Sequence, residues 1–214
     1  MKTRSTKDRR MRQRLTQEAA RLMADEGIAS YYKAKCKAAE RLGATDTRNM
    51  PGNYEIEQAL MDYQRLFKAD TQPVALRRLR ASALRAMRFF TGFTPRLVGP
   101  VLNGTADEHS DVQLHAFTDT PEQISLFLMD QDIPFELSER RLSFSKKEDP
   151  LTYPVYRFVA GNVGVEITVF PVDGIRQAPL SPVDGRPVKR AALAVVEKLV
   201  EDDGSGGNGG WEEE

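Results

Sequence analysis

The stretch Gly104-Thr105-Ala106-Asp107-Glu108-His109-Ser110-Asp111 limits the fold more than any other part of the chain. It is small and polar, and it lies between two apolar runs, Arg96–Leu102 and Asp111–Phe117. Such a pattern reads as strand, turn, strand, with Pro100 marking the first strand as an edge or a bulge. Gly104 has no side chain, so backbone N–H groups there can approach a phosphate closely. Thr105 adds a hydroxyl donor. In the strand that follows, side chains alternate between faces, so Asp111, Gln113 and His115 share one face close to the turn.

Further along, Val155–Val159 and Val165–Phe170 read as two strands joined by Ala160–Gly164. Glu166 stands among β-branched residues and shares its face with Thr168, while Val165, Ile167 and Val169 take the other. If the Glu166 face also bears Asp111, two carboxylates and a glycine turn make a site for a divalent cation and phosphate. A helix is expected from Thr120 to about Asp130, short strands at 133–137 and 141–145, and a last helix from Arg190 to Leu199. Between the sheet and that helix runs a Pro- and Gly-rich loop, 171–188. Loops of this length are commonly functional, and Arg176, Arg186, Lys189 and Arg190 offer guanidinium and ammonium groups to a phosphate.

The N-terminal half is helical by periodicity. Apolar residues recur from Leu15 to Leu42 with a break at Gly27, then over Tyr54–Phe67, then from Pro73 to Phe90. The last of these has an outer face of Arg77, Arg78, Arg80, Arg85 and Arg88. The fold class expected is α+β, a mixed sheet with flanking helices preceded by an all-helical region. The expected divisions are a basic flexible arm over 1–14, a helical region over 15–94, an α/β core over 95–200 and an acidic disordered tail over 201–214.

Charge is zero overall but uneven. Residues 1–14 carry seven Lys or Arg against Asp8 alone, a net +6, whereas residues 201–214 carry six carboxylates and no basic group. A basic arm suits a nucleic-acid backbone, through counterion release, or simply a solvated terminus. No apolar run approaches the roughly 20 residues of a membrane span, and no apolar stretch follows the basic start as in a signal peptide. With Cys36 as the single cysteine there is no internal disulfide, which fits a reducing compartment. The expectation is a cytoplasmic protein with no membrane partner. Walker and Gly-x-Ser-x-Gly motifs are missing from the sequence, and Gly-x-Gly-x-x-Gly spacing occurs only in the low-complexity tail, at Gly204, Gly206 and Gly209, which argues against the chemistries they serve.

The strand, the Gly104-Thr105 turn, the short loop and then Ser110-Asp111-Val112-Gln113-Leu114 together resemble the signature of the DNA-polymerase-β-type nucleotidyltransferases. The resemblance covers about residues 85 to 171. A longer match, through Gly-Thr-Ala…Ser-Asp-Val-Gln-Leu-His, is similar to a group of proteobacterial proteins and implies a bacterial chain. The family resemblance implies a nucleotidyltransferase-like sheet and transfer of a nucleoside monophosphate from a nucleoside triphosphate, assisted by Mg²⁺. It implies Asp111 and Glu166 as catalytic metal ligands, the first and third carboxylates of the family site, with Gln113 at the second ligand position. Gly104, Thr105 and Ser110 would lie on the phosphates, and Arg176 and Arg186 would neutralise pyrophosphate. The family carries a carboxylate where this chain has Gln113, and an amide is the weaker Mg²⁺ ligand. Two readings follow. One is a Mg²⁺-dependent transferase with an unknown acceptor. The other is a non-catalytic nucleotide- or nucleic-acid-binding module on the same frame.

Overall fold

The computed structural model describes the backbone of residues 2–47 and 49–205 and the side chains of 7–47 and 49–204. The acidic tail beyond Ser205 lies outside the described residues. The chain divides into two compact units, Met1–Pro73 with Ser181–Gly185, and Val74–Leu180 with Arg186–Glu214.

The first unit is helical. It holds α1 (Lys2–Glu26), α2 (Tyr31–Arg41) and α3 (Asn53–Phe67). α1 extends back through the basic segment, so described residues 2–14 are helical and not a flexible arm. Part of the reason is a contact made across the unit. Arg12 donates to both carboxylate oxygens of Glu55 and to Asn49 Oδ1 at 2.8 Å, and Asn49 Nδ2 donates to the Asp8 carbonyl. These bonds anchor the middle of the basic segment to the turn before α3. Glu55 also accepts from the Gly52 N–H at 2.6 Å, which satisfies an otherwise unpaired group at the start of α3. Leu15, Ala19, Leu22, Ala34, Ala38, Ile56 and Leu60 form the core. The alanines let the helices approach closely, and the larger side chains each contribute roughly 1.5–3 kcal/mol by burial.

The second unit is a five-stranded mixed sheet of order β1-β2-β5-β4-β3. Its strands are β1 (Arg96–Val98), β2 (Val112–Phe117), β3 (Phe135–Leu142), β4 (Leu151–Ala160) and β5 (Val163–Phe170). β2 and β5 run parallel, and the remaining neighbours are antiparallel. The helices are α4 (Gln72–Phe89), which begins at the unit boundary, α5 (Gly99–Asn103), α6 (Glu122–Asp130) and α7 (Leu193–Ser205). The α+β class and mixed sheet agree with the sequence reading. Four details do not. The two short strands expected at 133–137 and 141–145 are one continuous strand, β3, because its pairing with β4 runs unbroken from Phe135 to Leu142. The boundary expected at 94/95 falls at 73/74, because Leu79, Ala83, Met87 and Phe90 on and just after α4 belong to the sheet's core. The run 96–102 is three strand residues and then helix, since Pro100 sits at the first turn of α5, where it loses no hydrogen bond. The last helix carries on to Ser205, so residues 201–205 are helix and not tail.

Alternation divides the sheet into a core face and a polar face. Val112, Leu114, Ala116, Val165, Ile167, Val169, Tyr156 and Phe158 are buried in one cluster with residues of α4, α6 and α7. Their neighbours along the strands face the other way. β1 is closed at its outer edge by paired hydrogen bonds between Leu97 and Ala191, each 2.9 Å.

Candidate functional site

The polar face of the sheet brings together carboxylates that lie far apart in the sequence. Gln113 is the ladder partner of Glu166, and His115 that of Thr168. Val112 pairs with Val165, so Asp111 lies beside Gly164. Asp111 and Glu166 are therefore on one face of neighbouring strands, two positions out of step. That spacing separates their Cα atoms by roughly 8 Å.

Each carboxylate is already held. Arg157 of β4 donates from Nη2 to Asp111 Oδ2 at 2.9 Å. Arg140 of β3 reaches over to Glu166, with Nη2 donating to Oε2 at 2.8 Å. Its Nη1 lies 2.7 Å from Oε1, but too poorly aligned for a hydrogen bond. The exposures decide what a ligand meets first. The Arg140 and Arg157 side chains are 40% and 55% exposed, against 16% and 30% for Glu166 and Asp111. The guanidinium groups lie outermost and the carboxylates beneath them. Period-two alternation was the signal for Arg157, since Tyr156 and Phe158 face the core and leave it on the polar side. Arg140 carried no such signal, because β3 is polar on both faces over most of its length.

The residues expected to hold phosphate have other partners. Gly104 closes α5 at φ +85°, and the N–H groups of Gly104, Thr105 and Ala106 all point to the Pro100 carbonyl, at 2.9, 3.0 and 3.2 Å. Those amides complete a helix end. Ser110 accepts from the Asp107 N–H and donates to Asp107 Oδ1, each 3.0 Å, so it closes the loop. Gln113 lies so close against Gly99 that a Cβ at that position would collide with its Oε1. Arg176 is exposed at the end of a short 3₁₀ turn, Val172–Arg176, and Arg186 is exposed beside the bridge between Leu180 and Pro187. Neither is one of the two arginines paired to Asp111 and Glu166.

The donor set does not fit Mg²⁺ in this arrangement. Mg²⁺ requires near-octahedral oxygen ligation, and Asp111 Oδ2 and both oxygens of Glu166 lie against guanidinium groups whose charge balances theirs. Among the described residues no group of three or more His, Cys, Asp or Glu side chains is placed to hold a metal ion.

One end of the polar face is closed by Arg190. Its Nε donates to His115 Nδ1 at 2.9 Å, and its Nη1 donates to the carbonyls of Gly174, Ile175 and Gln177. The guanidinium lies 4.9 Å from the Phe170 ring centroid and 5.1 Å from that of Phe117, a cation–π arrangement. Burial, then the charges of Arg190 and Arg140, depress the His115 pKa to about 3. His115 is thus neutral, with its proton on Nε2. Burial and the nearby Arg96 bring Arg190 down to about 10, so it stays charged at neutral pH.

No protein-family model matches the chain, and no curated protein matches it. Among the described residues no helix is long and apolar enough to cross a membrane.

Proposed function

We propose that the polar face of the sheet binds a nucleotide through its phosphates, on a nucleotidyltransferase-like frame, without metal-dependent transfer. The observation that carries this reading is the layering of Arg140 and Arg157 over Glu166 and Asp111. An arginine has five N–H donors, and each of these spends only part of its fork on a carboxylate. Their other N–H groups make no hydrogen bond among the described residues, and guanidinium matches phosphate geometry well. The likeness of Gly104–Leu114 to the nucleotidyltransferase signature supports a nucleotide as the anion.

The Mg²⁺-dependent transferase reading rests on the same segment. It requires both arginines to leave their carboxylates, and it requires Gln113 to serve where a carboxylate is usual. An incubation with each α-labelled triphosphate, Mg²⁺ or Mn²⁺ and cell extract separates the two. The binding reading predicts equal background for wild type and Asp111→Ala. Label transferred by wild type alone would replace it with the transferase.

A further inference from the structure

The helical unit carries a row of exposed cations along α1. On α1, Lys7, Arg10, Arg14, Gln17 and Arg21 recur at spacings of three and four, and so form one stripe along the helix. At 1.5 Å per residue the stripe is roughly 21 Å long. Its cations differ in what they meet. Arg21 is paired with Glu18 and Asp25, whereas Lys7, Arg10 and Arg14 form no ion pair among the described residues and lie on the exposed side of the helix. The helix beneath them is fixed by the Arg12–Glu55–Asn49 contacts, so the charges are preorganised.

The stripe ends at an open groove of about 460 Å³, lined by Arg14, Gln17 and Arg21 on α1 and by Tyr63, Leu66 and Phe67 on α3. Two carboxylates also stand on its wall, and both are paired, Glu18 with Arg21 and Arg41 and Asp62 with Arg65. Phe67 is 68% exposed and Leu66 67%. The Phe67 ring lies against Tyr63, with centroids 4.8 Å apart. An exposed aromatic ring backed by a second ring, at the end of a row of unpaired cations, is the combination that binds single-stranded nucleic acid. Cations follow the backbone and a base stacks on the ring. A duplex keeps its bases inside and cannot use the ring.

We infer that this face of the helical unit binds single-stranded nucleic acid, with phosphates along Lys7, Arg10 and Arg14 and a base on Phe67. The test is fluorescence anisotropy of a labelled oligouridine of about twelve nucleotides with the full chain. Binding should weaken with salt at a log–log slope near −2, as about three phosphate contacts on a single strand require. Phe67→Ala should weaken it about ten-fold, and Arg10→Glu with Arg14→Glu should abolish it. All three positions are exposed, so the variants should keep the circular dichroism of wild type. Lys198→Ala, at an exposed cation of the other unit that has no part in the sheet's polar face, should leave oligonucleotide affinity unchanged. Equal binding of a duplex of the same length, or no loss in Phe67→Ala, would overturn the assignment. So would no oligonucleotide binding together with self-association that Phe67→Ala disperses, which would make the groove a protein-docking face.

Discussion

Asp111 lies against Gly164 in the space that a side chain at that position would fill. A Cβ on Gly164 would collide with Asp111 Oδ1, and the same carboxylate is held by Arg157 on its other oxygen. The backbone of β5 therefore forms the seat of one ion pair of the candidate site. A second close seat occurs at Gly99, which combines φ +72° with the Gln113 amide against its Cα.

These two glycines should respond differently to alanine. In Gly164→Ala the obstacle is the end of a flexible side chain, so Asp111 can turn away at the expense of a partly exposed ion pair, about 1 kcal/mol or less. In Gly99→Ala the left-handed backbone adds its own strain, for a total of about 1–3 kcal/mol. Urea unfolding should rank Gly99→Ala as the less stable variant. The reverse order would show that Asp111 cannot move.

Stability should fall in mildly acidic solution because of His115. Its pKa is about 3 in the fold and about 6.5 when unfolded, so the unfolded chain binds the extra proton. The contribution is complete above about pH 6.5 and is lost progressively toward pH 3, up to roughly 4 kcal/mol. Urea midpoints measured between those limits should fall more steeply for wild type than for His115→Gln. Parallel curves would show that His115 is accessible to protons in the fold.

Arg190 holds the segment after β5 through three carbonyls and one imidazole. Arg190→Met keeps much of the packing on Phe117 and Phe170 but removes those bonds, for a loss of about 2 kcal/mol. Amide hydrogen exchange should rise at residues 174–177 and remain unchanged at Ile167. Unchanged protection at 174–177 would mean that the segment is held by other contacts.

Arg12 and Glu55 give a smaller effect. Both side chains are about a third exposed or more, so screening limits the pair, and Glu55→Ala should cost about 1 kcal/mol, in part through the lost Gly52 contact. Added salt should weaken wild type more than the variant if the ion pair dominates. Equal salt dependence would assign the loss to the helix start alone.

How much of this is legible in the sequence depends on the range of the interaction. Helices α3 and α4 and strands β2, β4 and β5 follow from local periodicity and appear within a few residues of their expected positions. The shared face of Gln113, His115, Glu166 and Thr168 depends on register between β2 and β5, 53 residues apart at Gln113 and Glu166. Alternation allows that match but cannot select it. Alternation places Arg157 on the polar face, but the ion pairs of Arg157 and Arg140 are not legible, because a contact across strands leaves no local pattern. The glycine turn reads correctly as a turn, yet its amides close α5 on the Pro100 carbonyl, a choice set by the preceding residues. The extension of α1 through the basic segment depends on Arg12 meeting Glu55, 43 positions later.

Calorimetric titration of the full chain with a non-hydrolysable nucleoside triphosphate, in EDTA and then in excess Mg²⁺, tests the central claim most directly. If the outer arginines rather than a cation receive the phosphates, affinity in EDTA should equal or exceed that in Mg²⁺. It should fall about ten-fold or more in Arg140→Ala and in Arg157→Ala, through loss of a charge-assisted contact. Binding that requires Mg²⁺ and survives both substitutions would contradict the account.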